Sequence, residues 1–164
     1  MTETDKLRTK LDLPPVNQIG VVVRDMDKAI EYYSSIFGIG PFSVVYELVP
    51  EKHWYMEEPS HLKLLVGKSM WGNVELELVQ PVEGKSVHKD FLETHGEGLQ
   101  HLGFDVSDYD EMFDRFIKAG FVPLLRVDTY VAAYKVHLKA CYFDTRKVGG
   151  VIFEIIVRIP VTQT

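Results

Sequence analysis

The chain has 164 residues and a formal net charge of -6, with no basic stripe to neutralise phosphates, which argues against a general nucleic-acid binder. Its 46% hydrophobic content suits one domain, or two small intimate modules, around a real core. A single cysteine, Cys141, rules out an internal disulfide and fits a reduced cytoplasm; there is no apolar run long enough for a membrane span, and Met1 to Lys10 lacks the apolar centre of a signal peptide.

Residues 1–15 read as a polar lead-in whose Leu7, Leu11 and Leu13 dock loosely on the body before Pro14-Pro15 stops any helix. A first strand runs from Val16 to Val23. Asp25 caps a helix whose Met26, Ala29, Ile30, Tyr33, Ile36 and Phe37 form one apolar face, ended by Gly38. Phe42 to Val49 reads as a second strand and the charged, aromatic segment Pro50 to Ser60 as a loop. His61 to Lys68 and Asn73 to Val79 complete a β-α-β-β-β order. A connector over 81–99 contains a short helix, Ser86 to His95. The order then repeats: a strand at Gln100 to Val106, an amphipathic helix with Tyr109, Met112, Phe113 and Phe116 capped by Ser107 or Asp108, and strands at Phe121 to Thr129, His137 to Phe143 and Val151 to Val157.

The repeat is visible in the residues themselves. Gln18-Ile19-Gly20 matches His101-Leu102-Gly103 at an offset of 83, and Asp25 and Asp27 match Asp108 and Asp110. Gly72, Val74 and Glu77 match Gly149, Val151 and Glu154 at an offset of 77. Internal self-similarity of this kind implies two βαβββ modules, 16–80 and 100–158, related by a pseudo-twofold axis. The fold class is therefore α+β.

Glu77 and Glu154 are carboxylates in the middle of apolar strands, costly unless something compensates them. An axis that relates Gln18 to His101 also relates Glu77 to Glu154. One amide oxygen, one imidazole and two carboxylates then converge, which is the chemistry of a divalent-metal site. A lone Glu on a strand is most often solvated, and a lone His is usually an ordinary hydrogen-bonded one. The weight lies in four such residues at symmetry-matched positions. The residue types do not choose among Zn, Co, Ni, Mn and Mg.

With Gln18-Ile19-Gly20-Val21-Val22-Val23-Arg24-Asp25, the Tyr32-Tyr33 to Phe37-Gly38 helix end, His101-Leu102-Gly103-Phe104 and Gly149 to Glu154, the chain resembles the vicinal oxygen chelate superfamily, which includes glyoxalase I, methylmalonyl-CoA epimerase, extradiol dioxygenases and bleomycin-resistance proteins. The resemblance covers about residues 16 to 157. It implies an open, U-shaped mixed sheet around one metal ion held by Gln18, Glu77, His101 and Glu154. The Gln, Glu, His, Glu set is similar to that of some glyoxalase I enzymes, whereas the connector Glu83 to His101 is similar to that of methylmalonyl-CoA epimerase.

Both implied reactions remove a proton next to a carbonyl and hold the enolate on the metal, with Glu154 or Glu77 as the base. The best match is a methylmalonyl-CoA epimerase-like enzyme; the alternatives are a lactoylglutathione lyase-like enzyme and a metal-free, bleomycin-resistance-like binding protein, against which the two buried Glu positions argue. A dioxygenase needs two His and one carboxylate, and only one His stands in a ligand position. The substrate is then an acyl-CoA or a thiol adduct. Alignment puts Lys63 near the position of the epimerases' opposing acid or base. Trp54 lies in a loop that can cover the cleft, Tyr134 in the equivalent loop of the second module, and Arg146 near a place for CoA phosphates. Exposed outer strands and the family habit suggest a homodimer.

Overall fold

A computed structural model describes residues 11–162. Among the described residues ten strands and three helices follow one another: β1 Gln18–Val22, α1 Met26–Phe37, β2 Val44–Leu48, β3 Lys52–Tyr55, β4 Glu58–Pro59, β5 Leu62–Trp71, β6 Val74–Gly84, α2 Val87–His95, β7 Gly98–Asp105, α3 Tyr109–Lys118, β8 Pro123–Val131, β9 Val136–Phe143 and β10 Ile152–Pro160. Leu7 lies outside the described residues. The helix starts follow capping chemistry: the side chains of Asp25, Ser86 and Asp108 accept from the backbone N–H of Lys28, Lys89 and Glu111 at 2.9–3.1 Å. Asp108, not Ser107, is the cap of α3.

All ten strands join one sheet in the order β2-β5-β6-β1-β7-β10-β9-β8-β3-β4, curled into an open half-barrel. At its centre β1 and β7 run antiparallel, with Gln18 opposite Gly103 and Gly20 opposite His101. Each has a parallel neighbour on its outer side, so that Gly20 faces Glu77 on β6 and Gly103 faces Glu154 on β10. This register maps onto itself when the two halves are exchanged, which is the twofold relation expected from the 83- and 77-residue offsets.

Alternation along the strands divides the core in three. Inside the curl, Leu62, Leu64, Val66, Val79, Leu125, Val127, Tyr142 and Ile152 pack together. On the outer face α1 covers Val21, Leu76 and Leu78, while α3 covers Cys141, Phe143 and Ile155. Leu11 and Leu13 pack against the latter cluster.

One expectation is corrected. The segment 50–60 is not a loop: β3 and β4 form a hairpin, and β3 pairs antiparallel with β8 in the other half of the sheet, Lys52 opposite Asp128 and Tyr55 opposite Leu125. The short run alternates, with His53 buried and Lys52 exposed, but its partner strand is remote in sequence. The hairpin also takes one of the two outer edges that had been expected to be free, and β2 keeps the other. No helix is long and apolar enough to cross a membrane among the described residues.

Candidate metal centre

The inner face of the central strands carries a buried trio. His101 Nε2 lies 3.3 Å from Glu77 Oε2 and 3.4 Å from Glu154 Oε2, and one ligand atom from each residue falls within 4.8 Å of the others. Gln18 is buried on the same face of β1. Two glycines make this packing possible. A Cβ on Gly20 would stand 1.8–2.2 Å from the His101 ring atoms, and one on Gly103 would stand 2.7 Å from Gln18 Oε1. Each side chain thus lies over the glycine of the opposite strand. Gly20→Ala is expected to push the imidazole aside and weaken divalent-ion binding at least ~10-fold, as loss of an orienting neighbour does; calorimetric titration with Zn²⁺ or Co²⁺ checks it, and an unchanged affinity would count against His101 as a ligand.

Three of the four residues are held by a neighbour that leaves one atom spare. Gln18 Nε2 donates to Glu75 Oε1 at 2.9 Å, which leaves Gln18 Oε1 without a partner. Lys68 Nζ lies 3.2 Å from Glu77 Oε1, which turns Oε2 toward His101. The register between β1 and β7 slips at Gly20/Val21 and leaves Gln100 as the extra residue of a bulge beside His101. Its Nε2 donates to the Val87 carbonyl at 2.9 Å, so its Oε1, which can only accept, takes the His101 Nδ1–H at 2.8 Å. In the neutral ring this fixes the lone pair on Nε2. The buried atoms without partners include Gln18 Oε1, His101 Nε2 and Glu154 Oε2, three atoms that a metal would satisfy. The donor set fits a hard or borderline divalent ion.

Electrostatics separate the two carboxylates. Burial pushes Glu77 up, but Lys68 and then His101 outweigh it and hold its carboxyl well below the usual carboxylate range. Burial pushes Glu154 up as well; His101 opposes this, Glu77 adds to it, and the carboxyl rises to about 7. A raised value means that the folded chain holds this proton more tightly than the unfolded chain does. The stabilisation is complete below the ordinary carboxylate value and is lost as pH climbs through about 7. The Tm of the ion-free parent is therefore expected to fall relative to that of Glu154→Gln between about pH 5 and about pH 8, on top of the opposite slope that His88, held neutral by burial, gives both proteins. Equal pH slopes in the two proteins would remove Glu154 as its source.

The residues expected to meet substrate are scattered. Lys63 pairs with Glu47 at 2.9 Å and, by alternation along β5, faces away from the trio, on the same side as Leu65 under α1. Trp54 is likewise on the outer face, its ring 4.8 Å from the Arg126 guanidinium, which also lies over Phe113 of α3. Arg146 is paired with Asp144 at 2.7 Å and lines a cavity of about 190 Å³ with Tyr55, Asp90 and Phe91. Tyr134 alone of the four adjoins the buried polar group, edge-on to Tyr46 with Lys68 over its ring. Three residues beside the trio were missed. Lys68 continues the inward series Leu62, Leu64, Val66, and that alternation is the signal from which it could have been read. Gln100 depends on the bulge. His88 projects from α2 against His101 and Tyr142, with both ring nitrogens unpartnered, and burial, then His101, pulls it down to about 3.

Comparison with known proteins agrees with this architecture. A family model for the glyoxalase/bleomycin resistance protein/dioxygenase superfamily matches residues 17–142. Among solved structures, a hypothetical protein from Bacillus halodurans superposes with a TM-score of 0.64 at 14% identity, covering 92% of this chain and 98% of that one. The methylmalonyl-CoA epimerase of Mycobacterium tuberculosis does so at 0.56 and 22%, covering 92% and 90%. A variant of the Streptomyces coelicolor methylmalonyl-CoA epimerase in complex with 2-nitronate-propionyl-CoA gives 0.61 and 21%, covering 93% and 100%. No curated protein matches the sequence.

Proposed function

The chain belongs to the glyoxalase/bleomycin resistance protein/dioxygenase superfamily, and on that footing we propose that it is a divalent-metal-dependent enzyme that removes a proton next to a carbonyl, most akin to a methylmalonyl-CoA epimerase. The observation that carries the reading is the set of buried, unpartnered atoms at Gln18 Oε1, His101 Nε2 and Glu154 Oε2. Buried polar atoms without partners are costly, and a bound cation removes that cost. Gln18, Glu77, His101 and Glu154 hold the ion. When bound, it supplies a Lewis acid that polarises the substrate carbonyl and acidifies the adjacent C–H.

The chain's own residues divide the remaining work. Glu77 stays ionised against Lys68 and serves as a ligand. Glu154, the carboxylate of the pair that no lysine holds, is the one free to turn from ligand to base and accept the proton. Gln100 and Glu75 keep His101 and Gln18 aimed. An acyl-CoA is the favoured substrate. A glutathione hemithioacetal is the second reading, supported by the Gln, Glu, His, Glu residue set. Cytoplasmic location and a homodimer complete the proposal; the buried, single Cys141 is compatible with a reducing compartment.

Elemental analysis of the purified protein tests the centre, with about one divalent ion per chain expected. Deuterium uptake at C2 of methylmalonyl-CoA in D₂O tests the reaction, beside turnover of a methylglyoxal–glutathione adduct. Ion binding with lyase turnover and no C2 exchange selects the second reading. A protein that takes up no ion after reconstitution rejects both.

A further inference from the structure

Beside the trio, where Tyr46 of β2 meets Tyr134 of the β8–β9 turn, lies a cavity of about 220 Å³. Lys68, Arg158 and Glu75, which both cations hold, give it a polar lining, and Val136 and Leu138 an apolar one. We propose that this chamber takes the short acyl end of the substrate and that Lys68 binds a carboxylate carried there, which makes Lys68 a specificity-determining residue. The proposal deepens the reading above and rests on it for the position of the reacting carbon.

Lys68 is suited to that task because one of its three donors is still unspent. Its side chain is 11% exposed, and its Nζ meets Glu75 Oε1 at 3.3 Å and Glu77 Oε1 at 3.2 Å. An ammonium has three donors, so these two leave a third for the chamber. Lys68 is fixed from behind: Arg158 grips Asp105 through one guanidinium nitrogen at 2.6 Å and Glu75 through the other at 3.0 Å. The ammonium therefore cannot swing out to solvent without leaving two carboxylate contacts, one of them buried.

Charge balance admits an anion at this place. Glu75, Glu77 and Asp105 pair with Lys68 and Arg158, Glu154 adjoins His101, and a divalent ion in the trio brings the group to neutrality with every carboxylate ionised. An incoming carboxylate then meets no surplus negative charge, in a site of low dielectric where a charge-assisted hydrogen bond is strong. Size points the same way. The chamber is smaller than the roughly 300–1,000 Å³ of pockets that enclose whole drug-sized ligands, so it holds a short group while a large carrier stays outside.

Malonate is the probe, titrated by calorimetry into the ion-loaded full chain. The parent is expected to bind it, Lys68→Gln to bind it at least ~10-fold more weakly, as removal of a hydrogen bond to a charged group does, and Lys68→Arg to recover part of the loss. All three are titrated at saturating Co²⁺, so that the weaker ion affinity expected of Lys68→Gln, which loses the cation that orients Glu77, leaves the ion content read by elemental analysis unchanged. Absence of binding to the parent, or equal affinity in the parent and Lys68→Gln, overturns the proposal. Loss of the ion in Lys68→Gln also overturns it, because Lys68 would then act only through Glu77. C2 exchange measured in parallel separates the two claims: Lys68-dependent malonate binding without exchange keeps the chamber and rejects the epimerase reading, and exchange with Lys68-independent malonate binding does the reverse.

Discussion

Glu154→Gln is expected to slow deuterium exchange at C2 of methylmalonyl-CoA roughly 10²–10⁴-fold, the usual contribution of a positioned general base. The change is nearly isosteric. It keeps a carbonyl oxygen where Glu154 Oε2 stands 3.4 Å from His101 Nε2, and an amide oxygen is already the spare atom of Gln18. The variant should therefore fold and retain an ion, though more weakly, while losing the only carboxylate of the pair that has a raised proton affinity. The acidic limb of the rate–pH profile should disappear with it, since that limb reports the base losing its proton. Retained exchange at the parent's rate, measured at saturating Co²⁺, would move the base elsewhere. Glu77 would not be the first place to look, because Lys68 holds it ionised.

His101→Ala is expected to abolish stoichiometric ion binding, a larger loss than the roughly 10–100-fold seen when only an orienting partner is removed. It deletes the one nitrogen among the four ligand atoms and leaves Gln100 Oε1 buried without its donor. It also empties the space above Gly20 and removes the edge contacts of the ring with His88 and Tyr142 at 5.8 and 5.1 Å. A stability loss of about 1–3 kcal/mol should accompany it, typical of a buried truncation. His101→Gln separates the two effects, since it refills the space and offers an oxygen. If the Ala variant binds the ion as the parent does, the trio is a polar cluster and not a metal centre.

The arithmetic of the repeat suffices to bring Gln18, Glu77, His101 and Glu154 to one face. Side-chain parity and a twofold axis suffice for that, and both are properties of the sequence. The surroundings of the trio were less legible. Lys63 and Lys68 lie on one strand, five residues apart, and an odd separation puts them on opposite faces; an alignment that crosses the extra hairpin does not fix that parity. Trp54 reads as a lid residue only until β3 finds β8, a pairing that no local window contains. Gln100 is adjacent to His101 and would ordinarily point the other way; a single-residue bulge turns it inward. His88 sits on a short helix whose rotation about its axis is set by packing and not by a strong apolar stripe.

The β3–β4 hairpin has a bearing on how the chain is made. Its residues leave the ribosome with the first half of the protein, yet Lys52 pairs with Asp128 and Tyr55 with Leu125. No docking partner exists for it until synthesis has passed the second half's helix. Until then an aromatic strand with an open edge is exposed, a hazard for which nascent chains depend on chaperones or on speed. Once β8 arrives, the hairpin staples the end of the second half to the first. The late step that half-buries Trp54 is thus also the step that ties the two halves together.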